Sequence, residues 1–254
     1  MTNHKIHRYG WHKDRIDSRD KILRYDSPNL KNLPSKIDLR PFCSPVEDQS
    51  SLGSCTANAT VGALEYLEIK DGAVSSSFEN YSRLFVYYNT RERMGTVDSD
   101  SGGYLREAVK AVADFGACDE LKWPYDIKTF TTRPSVECYT DGASHKISEY
   151  FRLNSMPDML KCLADGYPFV FGFTVYSEFE GATVASTGVL NLPGPSEMAL
   201  GGHAVCAVGY DMEAGTVLVR NSWGHTWGQD GYFTMPFSYI SNPNLAQDFW
   251  TIRR

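Results

Sequence analysis

The chain has 254 residues and a mass of 28.5 kDa, with 42% hydrophobic and 22% charged residues and a mean hydropathy of −0.36. These values are typical of a globular protein large enough to bury a substantial core. Its 25 basic and 31 acidic residues give a net charge of −6, which disfavours nucleic acid as a partner. No apolar run resembles a signal peptide or a membrane span, so we expect no membrane association and a cytoplasmic protein, or one exported without a classical signal.

The cysteine pattern disfavours both a disulfide scaffold and a zinc site. Six cysteines, at positions 43, 55, 118, 138, 162 and 206, are sparse for this length, and none forms a C-x-x-C pair. We therefore expect no metal and no other cofactor. Cys162 and Cys206 lie in apolar periodic stretches, where buried, unreactive thiols are expected.

The first half of the chain is predicted to be mainly helical. Residues 1–36 lack helical or strand periodicity, which predicts an irregular N-terminal arm. The apolar spacing after Cys55 predicts a helix over 55–70 with one buried face, and further helices are predicted over 78–91 and 105–115.

The second half changes to β-branched and aromatic runs bounded by Gly and Pro. After a short helix over 158–165, strands are predicted over 169–176, 203–210, 217–221 and 231–235. A helical half followed by a sheet half predicts an α+β fold. A site built from both halves must lie at their seam, where binding clefts are common.

Cys55 follows Gly53-Ser54 at the predicted start of a helix. Unpaired backbone N–H groups and the helix dipole lower the pKa of a thiol there, which favours a nucleophilic thiolate. The preceding small residues permit close approach of a substrate, and the N–H of Cys55 can hold a carbonyl oxygen. A structural cysteine at a helix start remains the alternative.

His203 and Asn221 complete a candidate catalytic set. His203 follows Gly201-Gly202 and opens an apolar strand, a setting that suits a base but also a satisfied core histidine. Asn221 ends a predicted strand, where its amide oxygen can fix the tautomer of an imidazole or simply form a turn.

Three segments in this order resemble the catalytic blocks of papain-like cysteine peptidases: 49–55 (QSSLGSC), 202–205 (GHAV) and 221–232 (NSWGHTWGQDGY). This resemblance implies a two-lobed fold, with a helical left lobe, an antiparallel β-barrel-like right lobe and the active-site cleft between them. It also implies that Gln49 contributes to the oxyanion hole and that Trp223 shields the hydrogen bond between His203 and Asn221.

Other positions extend the resemblance to substrate binding. Gly102 and Gly103, before a predicted helix, resemble the backbone edge that pairs with an extended peptide, although an ordinary loop is the alternative. Trp227 is similar to the aromatic residue that lines the primed side. Gly202, with Gly201, indicates a roomy pocket beside the base that favours apolar or bulky side chains.

The chain also departs from the family pattern. Leu52 and Asp100 occupy the positions of the two cysteines of a family disulfide, and Thr56 replaces the usual aromatic residue after the nucleophile. The arm is too short for the long helical propeptide of the plant and animal enzymes. It resembles that of the bacterial branch of the family, such as xylellain.

These features predict a monomeric cysteine endopeptidase acting on peptides or proteins through an acyl-enzyme. We expect residues 1–36 to form an arm or short pro-segment, 37–137 a lobe carrying the nucleophile, and 138–254 a lobe carrying the histidine and asparagine. The segment from Tyr9 to Asp20 is expected either to restrict the cleft or merely to pack on the body. An acyltransferase or ligase using the same triad, and a catalytically silent binding module, are the alternative functions.

Overall fold

A computed structural model of the protein describes residues 9–25, 30–72, 78 and 80–254. Its helices are α1 (Cys55–Lys70), α2 (Arg83–Met94), α3 (Leu105–Phe115), α4 (Val136–Gly142), α5 (Met156–Ala164), α6 (Ala182–Thr187) and α7 (Phe237–Ile240). Its strands are β1 (Trp11–His12), β2 (Lys36–Asp38), β3 (Gly103–Tyr104), β4 (Glu149–Arg152), β5 (Phe169–Tyr176), β6 (Ala199–Asp211), β7 (Thr216–Arg220), β8 (Tyr232–Pro236) and β9 (Ala246–Arg253).

The helices largely follow their predicted positions, with corrected ends. Helix α2 was predicted from residue 78 but begins at Arg83, because the Ser82 side chain accepts a hydrogen bond from the N–H of Phe85 and caps the helix there. It continues beyond residue 91 to a left-handed Gly95. Helix α5 begins at Met156, two residues before the predicted start, because Ser155 caps it. The predicted bounds of α3 are confirmed.

Helix α1 is buried on all sides, so the prediction of a single buried face is wrong. Every residue from Cys55 to Ile69 is buried, because the helix packs against α2 and α3 on one side and against β5 and β6 on the other. This packing brings the first turn of α1 to the sheet that carries His203.

The sheet has the order β4-β9-β5-β6-β7-β8, with β2 added beside β6, and its pairings are antiparallel. The predicted bounds of β5 are confirmed, whereas β6 is longer than predicted and begins at Ala199. Among the described strands the sheet does not close into a barrel. The predicted α+β class is confirmed.

The N-terminal arm crosses the helical part and then follows the edge of the sheet. Strand β1 pairs in parallel with β3. Farther along, the N–H of Leu23 donates to the carbonyl of Arg152 at 2.9 Å, and the N–H of Arg152 donates to the carbonyl of Lys21 at 2.8 Å. The arm therefore covers the open edge of β4, which would otherwise expose unpaired backbone groups. In the described part of the chain, no helix is both long and apolar enough to cross a bilayer.

Candidate active site

Cys55 is the first residue of α1 and is fully buried. The backbone N–H groups of Ala204, Gly10, Thr56 and Cys55 itself lower the pKa of the thiol. Burial outweighs them and raises this pKa to about 11. The lowered pKa expected for a thiol at a helix start is therefore not found, because burial of the sulfur disfavours the charged thiolate.

His203 lies on β6, and its Nε2 is 2.8 Å from Oδ1 of Asn221, which follows β7. Both residues are buried. Because the Asn221 oxygen can only accept, it holds a proton on Nε2 and fixes the tautomer of the neutral ring. The opposite ring nitrogen, Nδ1, is thereby the one that can exchange a proton with another group. The N–H of the next residue, Ala204, lies at the Cys55 thiol, so β6 brings the imidazole and the sulfur into one site.

Aromatic rings surround the hydrogen bond between His203 and Asn221. The indole of Trp223 lies 5.2 Å from the His203 ring at an interplanar angle of 33°. Trp227 packs against Trp223 at 5.3 Å, and Phe179 contacts both indoles. These rings keep water from the imidazole and its amide partner, and a hydrogen bond is stronger in such a low-dielectric setting.

Gln49 is held rigidly by the loop that follows Asn221. Its Oε1 accepts a hydrogen bond from Oγ of Ser222 at 2.6 Å, and its backbone N–H donates to the carbonyl of Ser222 at 2.9 Å. Its Nε2 donates to the carbonyl of Leu52 at 2.9 Å. An amide nitrogen carries two hydrogens, and the bond to Leu52 uses one of them.

The arm lies across the residues predicted to bind substrate. The N–H of Gly103 donates to the carbonyl of Gly10 at 2.7 Å, and a side chain at Gly102 would collide with the same carbonyl. The Trp11 side chain lies against Gly202 and Gly172, where a Cβ atom at either glycine would overlap it. The structure thus brings Gly102, Gly103 and Gly202 to one groove, with the arm inside it.

Tyr9 contacts the opposite side of this groove. Its ring lies 6.0 Å from that of His203 in an edge-on arrangement, and its hydroxyl donates to Oε1 of Glu180. Burial, together with the negative charge of Glu180, raises the pKa of Tyr9. The phenol therefore stays protonated and remains a donor to Glu180.

Three polar residues that hold the nucleophile loop or Gln49 were not predicted from the sequence. Ser222 holds the Gln49 amide, and Tyr125 bonds both Ser54, at 2.5 Å, and the carbonyl of Gln49, at 2.8 Å. Asp100, predicted only as a lost disulfide position, accepts hydrogen bonds from the N–H of Gly53. Ser222 follows Asn221 directly, but nothing in the pattern of residues around Tyr125 or Asp100 indicated these contacts.

The chain is similar to known cysteine proteases. Residues 33–248 match the model of the papain family cysteine proteases. The chain is 37% identical to an uncharacterized peptidase C1-like protein of Acanthamoeba polyphaga mimivirus, over 96% of this chain and 86% of that protein. It is 30% identical to a cathepsin L-like proteinase of Fasciola hepatica, over 84% of this chain and 64% of that protein.

The fold is shared with solved structures. Xylellain, a cysteine protease from Xylella fastidiosa, is 41% identical, with a TM-score of 0.88 over 96% of this chain and 95% of that one. This similarity confirms the predicted papain-like fold. It also confirms the predicted likeness to the bacterial branch.

Proposed function

This chain belongs to the papain family of cysteine proteases and acts on peptide or protein substrates, and we propose that it is an endopeptidase whose nucleophile is Cys55. His203 is the proposed general base, and Asn221 orients it. The observation that carries this assignment is the 2.8 Å contact between His203 Nε2 and Asn221 Oδ1, on a strand whose next N–H lies at the Cys55 thiol.

The proposed reaction follows from these positions. With the cleft open, His203 takes the thiol proton, and the thiolate attacks the carbonyl carbon of the scissile bond. The N–H of Cys55 and the second Nε2 hydrogen of Gln49 stabilise the oxyanion that develops. His203 then gives its proton to the leaving amine, and an acyl-enzyme remains. Water, deprotonated by His203, releases the acid and regenerates the thiol.

The N-terminal arm is the proposed restraint on this activity. Gly10 presents its N–H to the sulfur, whereas its carbonyl is directed to Gly103. In a trans peptide the carbonyl of Tyr9 points opposite to that N–H, so neither neighbouring carbonyl faces the nucleophile. Bound in this way, the arm blocks the cleft and resists cleavage by it.

The roles of the three segments of the chain are also a proposal. Residues 37–137 supply the nucleophile, residues 138–254 supply His203 and Asn221, and residues 1–36 supply the arm. Gly103 would pair with an extended peptide once the arm leaves, because it already pairs with Trp11 of the arm. Gly102 would contact the same peptide, because it now lies against Gly10 of the arm.

A peptidyl epoxide tests the nucleophile and the arm together. We expect the epoxide to add its mass to the full-length protein at Cys55, and labelling to be faster in Trp11→Ala, which empties the groove at Gly202. Cys55→Ala should take up no label and cleave no peptide. Peptide cleavage that persists in Cys55→Ala would refute the assignment.

The same preparations separate the alternative functions. Peptide products formed in the presence of an added amine distinguish hydrolysis from acyl transfer, because a transferase would give mainly the amide. A catalytically silent module would show neither product in wild type nor in Trp11→Ala.

A further inference from the structure

The carboxylate of Asp100 binds the loop that carries the nucleophile. The N–H of Gly53, two residues before Cys55, lies 3.0 Å from Oδ1 and 3.1 Å from Oδ2 of Asp100. The hydroxyl of Tyr87 donates to Oδ1 at 2.5 Å. Hydrogen bonds to an ionised carboxylate are stronger than those between neutral groups, so this contact fixes the position of Gly53.

The hydrogen bonds of Asp100 and Tyr87 continue to the other wall of the groove. The hydroxyl of Tyr87 accepts a hydrogen bond from the N–H of Gly102 at 3.0 Å. One carboxylate and one phenol therefore join the Gly53 loop to the Gly102-Gly103 edge. Between these two walls lies Gly10 of the arm, which touches Gly53 and Gly102.

Arg91 holds the segment that carries Asp100. Its Nη1 donates to the carbonyl of Val97 at 2.8 Å and to that of Ser99 at 3.0 Å. Its guanidinium also lies 4.1 Å from the ring centre of Tyr87. Both Arg91 and Tyr87 are fully buried. The two side chains that hold Asp100 beside Gly53 are therefore fixed by packing.

We propose that Asp100 is a positioning residue, which sets the placement of Cys55 relative to the peptide-binding edge; this rests on the proposed function of Cys55. Leu52 and Asp100 stand where the family resemblance places a disulfide. All six cysteines lie in described ranges, and each is a free thiol. A charged hydrogen bond thus does here what a covalent bond does in relatives with both cysteines, and reducing conditions that keep Cys55 active leave it intact.

The test compares Asp100→Ala with Asp98→Ala, because Asp98 is an exposed acidic residue of the same segment. The parent for both variants is the full-length protein with Trp11→Ala, which opens the groove. A 1 Å misplacement can cost about a hundredfold in rate. We expect Asp100→Ala to lower kcat about tenfold, with KM within about threefold of the parent, and Asp98→Ala to change neither. A kcat within about twofold of the parent for Asp100→Ala would overturn the proposal.

A cross-link separates positioning from a general loss of stability. In the double variant Leu52→Cys, Asp100→Cys, closure of the new disulfide, verified by mass, should return kcat to within about threefold of the parent. Opening it with a phosphine should lower kcat again, while the parent is unaffected by the phosphine. Failure of the cross-link to close or to restore kcat would count against the proposal.

A second readout keeps this inference separate from the proposed function. If the parent protein neither cleaves peptides nor takes up the epoxide, the proposed function fails. The alkylation rate of Cys55 by chloroacetamide then still reports its placement. A change of about fivefold or more in Asp100→Ala would support the positioning role, and an unchanged rate would refute it.

Discussion

A methyl group on Gly10 would lie 1.9 Å from the carbonyl oxygen of Gly53, so the arm can cross the nucleophile loop only with glycine at this position. Gly10→Ala should therefore displace the arm from the cleft. Overpacking a well-filled site costs roughly 1–3 kcal/mol, which corresponds to an open fraction about fivefold to 150-fold larger. We expect the initial rate of fluorogenic peptide turnover by the full-length protein to rise about tenfold.

Ile16→Ala is the matched control for Gly10→Ala. Ile16 belongs to the same arm but is fully exposed, so its substitution removes no contact with the cleft and should leave turnover unchanged. Equal rates for Gly10→Ala and wild type would show that the arm does not limit access.

Asp14 anchors the arm to the body through buried polar contacts. Its Oδ2 accepts from Nε1 of Trp250 at 2.8 Å, its Oδ1 accepts from the N–H of Arg106 at 3.2 Å, and its own N–H donates to Asp248 at 2.7 Å. Arg152 lies 3.5 Å from Asp14 and 2.8 Å from Asp248. Burial, followed by the charge of Asp248, raises the pKa of Asp14 to about 6.

This anchor predicts that the arm is held more firmly at low pH. Asp14 has the higher pKa when the arm is docked, about 6 against about 3.9 for a free aspartate. Docking therefore favours the protonated Asp14 carboxyl. The resulting stabilisation is full below about pH 4 and is lost as the pH rises through 6. Burial also raises the pKa of the Cys55 thiol, from about 9 to about 11, so any effect of this thiol on docking appears only above about pH 9 and leaves the Asp14 effect unchanged at lower pH.

Hydrogen exchange of residues 9–20, corrected for intrinsic rates, measures this effect. We expect protection to fall on the order of tenfold between pH 5 and pH 8. Asp14→Asn carries no titrating carboxyl, so its protection should depend less on pH. Protection in wild type that increases with pH would contradict the predicted sign.

The sequence was sufficient for the parts of the fold that depend on local patterns. Strand β5 and helix α3 have their predicted bounds, because Pro168 precedes an apolar run in β5, and an apolar stripe at helical spacing ends at Gly116 in α3. Strand β9 was not predicted, since its charged and aromatic residues show no clean alternation and pair only with distant β4 and β5. The burial of α1 on all sides likewise depends on tertiary packing.

The candidate site shows the same division. Cys55, His203 and Asn221 could be selected as candidates from the sequence because each lies in a distinctive short segment. Asp100 and Ser222 act through hydrogen bonds to Gly53 and Gln49, respectively, and their partners lie 47 and 173 residues away in the chain. The fold alone brings such pairs together, so no local pattern of residues predicts them.

Arg220 joins the sheet to the segment before the nucleophile loop. Its guanidinium donates to the carbonyl of Ser44 at 2.5 Å and to that of Pro45 at 2.7 Å. Glu65 on α1 accepts from Oγ of Ser44 at 2.5 Å, and burial raises the pKa of Glu65 while the charge of Arg220 lowers it. Arg220 and Glu65 therefore compensate each other's charge inside the protein.

Arg220→Met should lower the free energy of unfolding by about 3–5 kcal/mol, because it leaves Glu65 buried without this cation. The double variant with Glu65→Gln should lose less than the sum of the two single variants. Arg133→Met, which breaks a largely exposed pair with Glu92, should cost at most about 1 kcal/mol. Urea denaturation measures all four variants, and additive losses would show that the two buried charges do not interact.

Gln49 offers a test of the oxyanion hole, because its amide is fixed on both sides. Gln49→Glu keeps an acceptor for the Ser222 hydroxyl but replaces the Nε2 donor with a carboxylate oxygen. Loss of one oxyanion-hole donor costs about 10²–10³ in kcat. We expect a decrease of at least this size for Gln49→Glu, with the stoichiometry of chloroacetamide labelling at Cys55 retained.

Ser222→Ala is the control that distinguishes donation from placement. It removes the hydroxyl bonded to Oε1 but leaves the Nε2 donor in the site, so kcat should fall about tenfold or less. The Ser222 backbone carbonyl still accepts from the N–H of Gln49, which limits movement of the loop. A Gln49→Glu protein with kcat equal to that of Ser222→Ala would indicate that Gln49 holds the loop in place and does not stabilise the oxyanion.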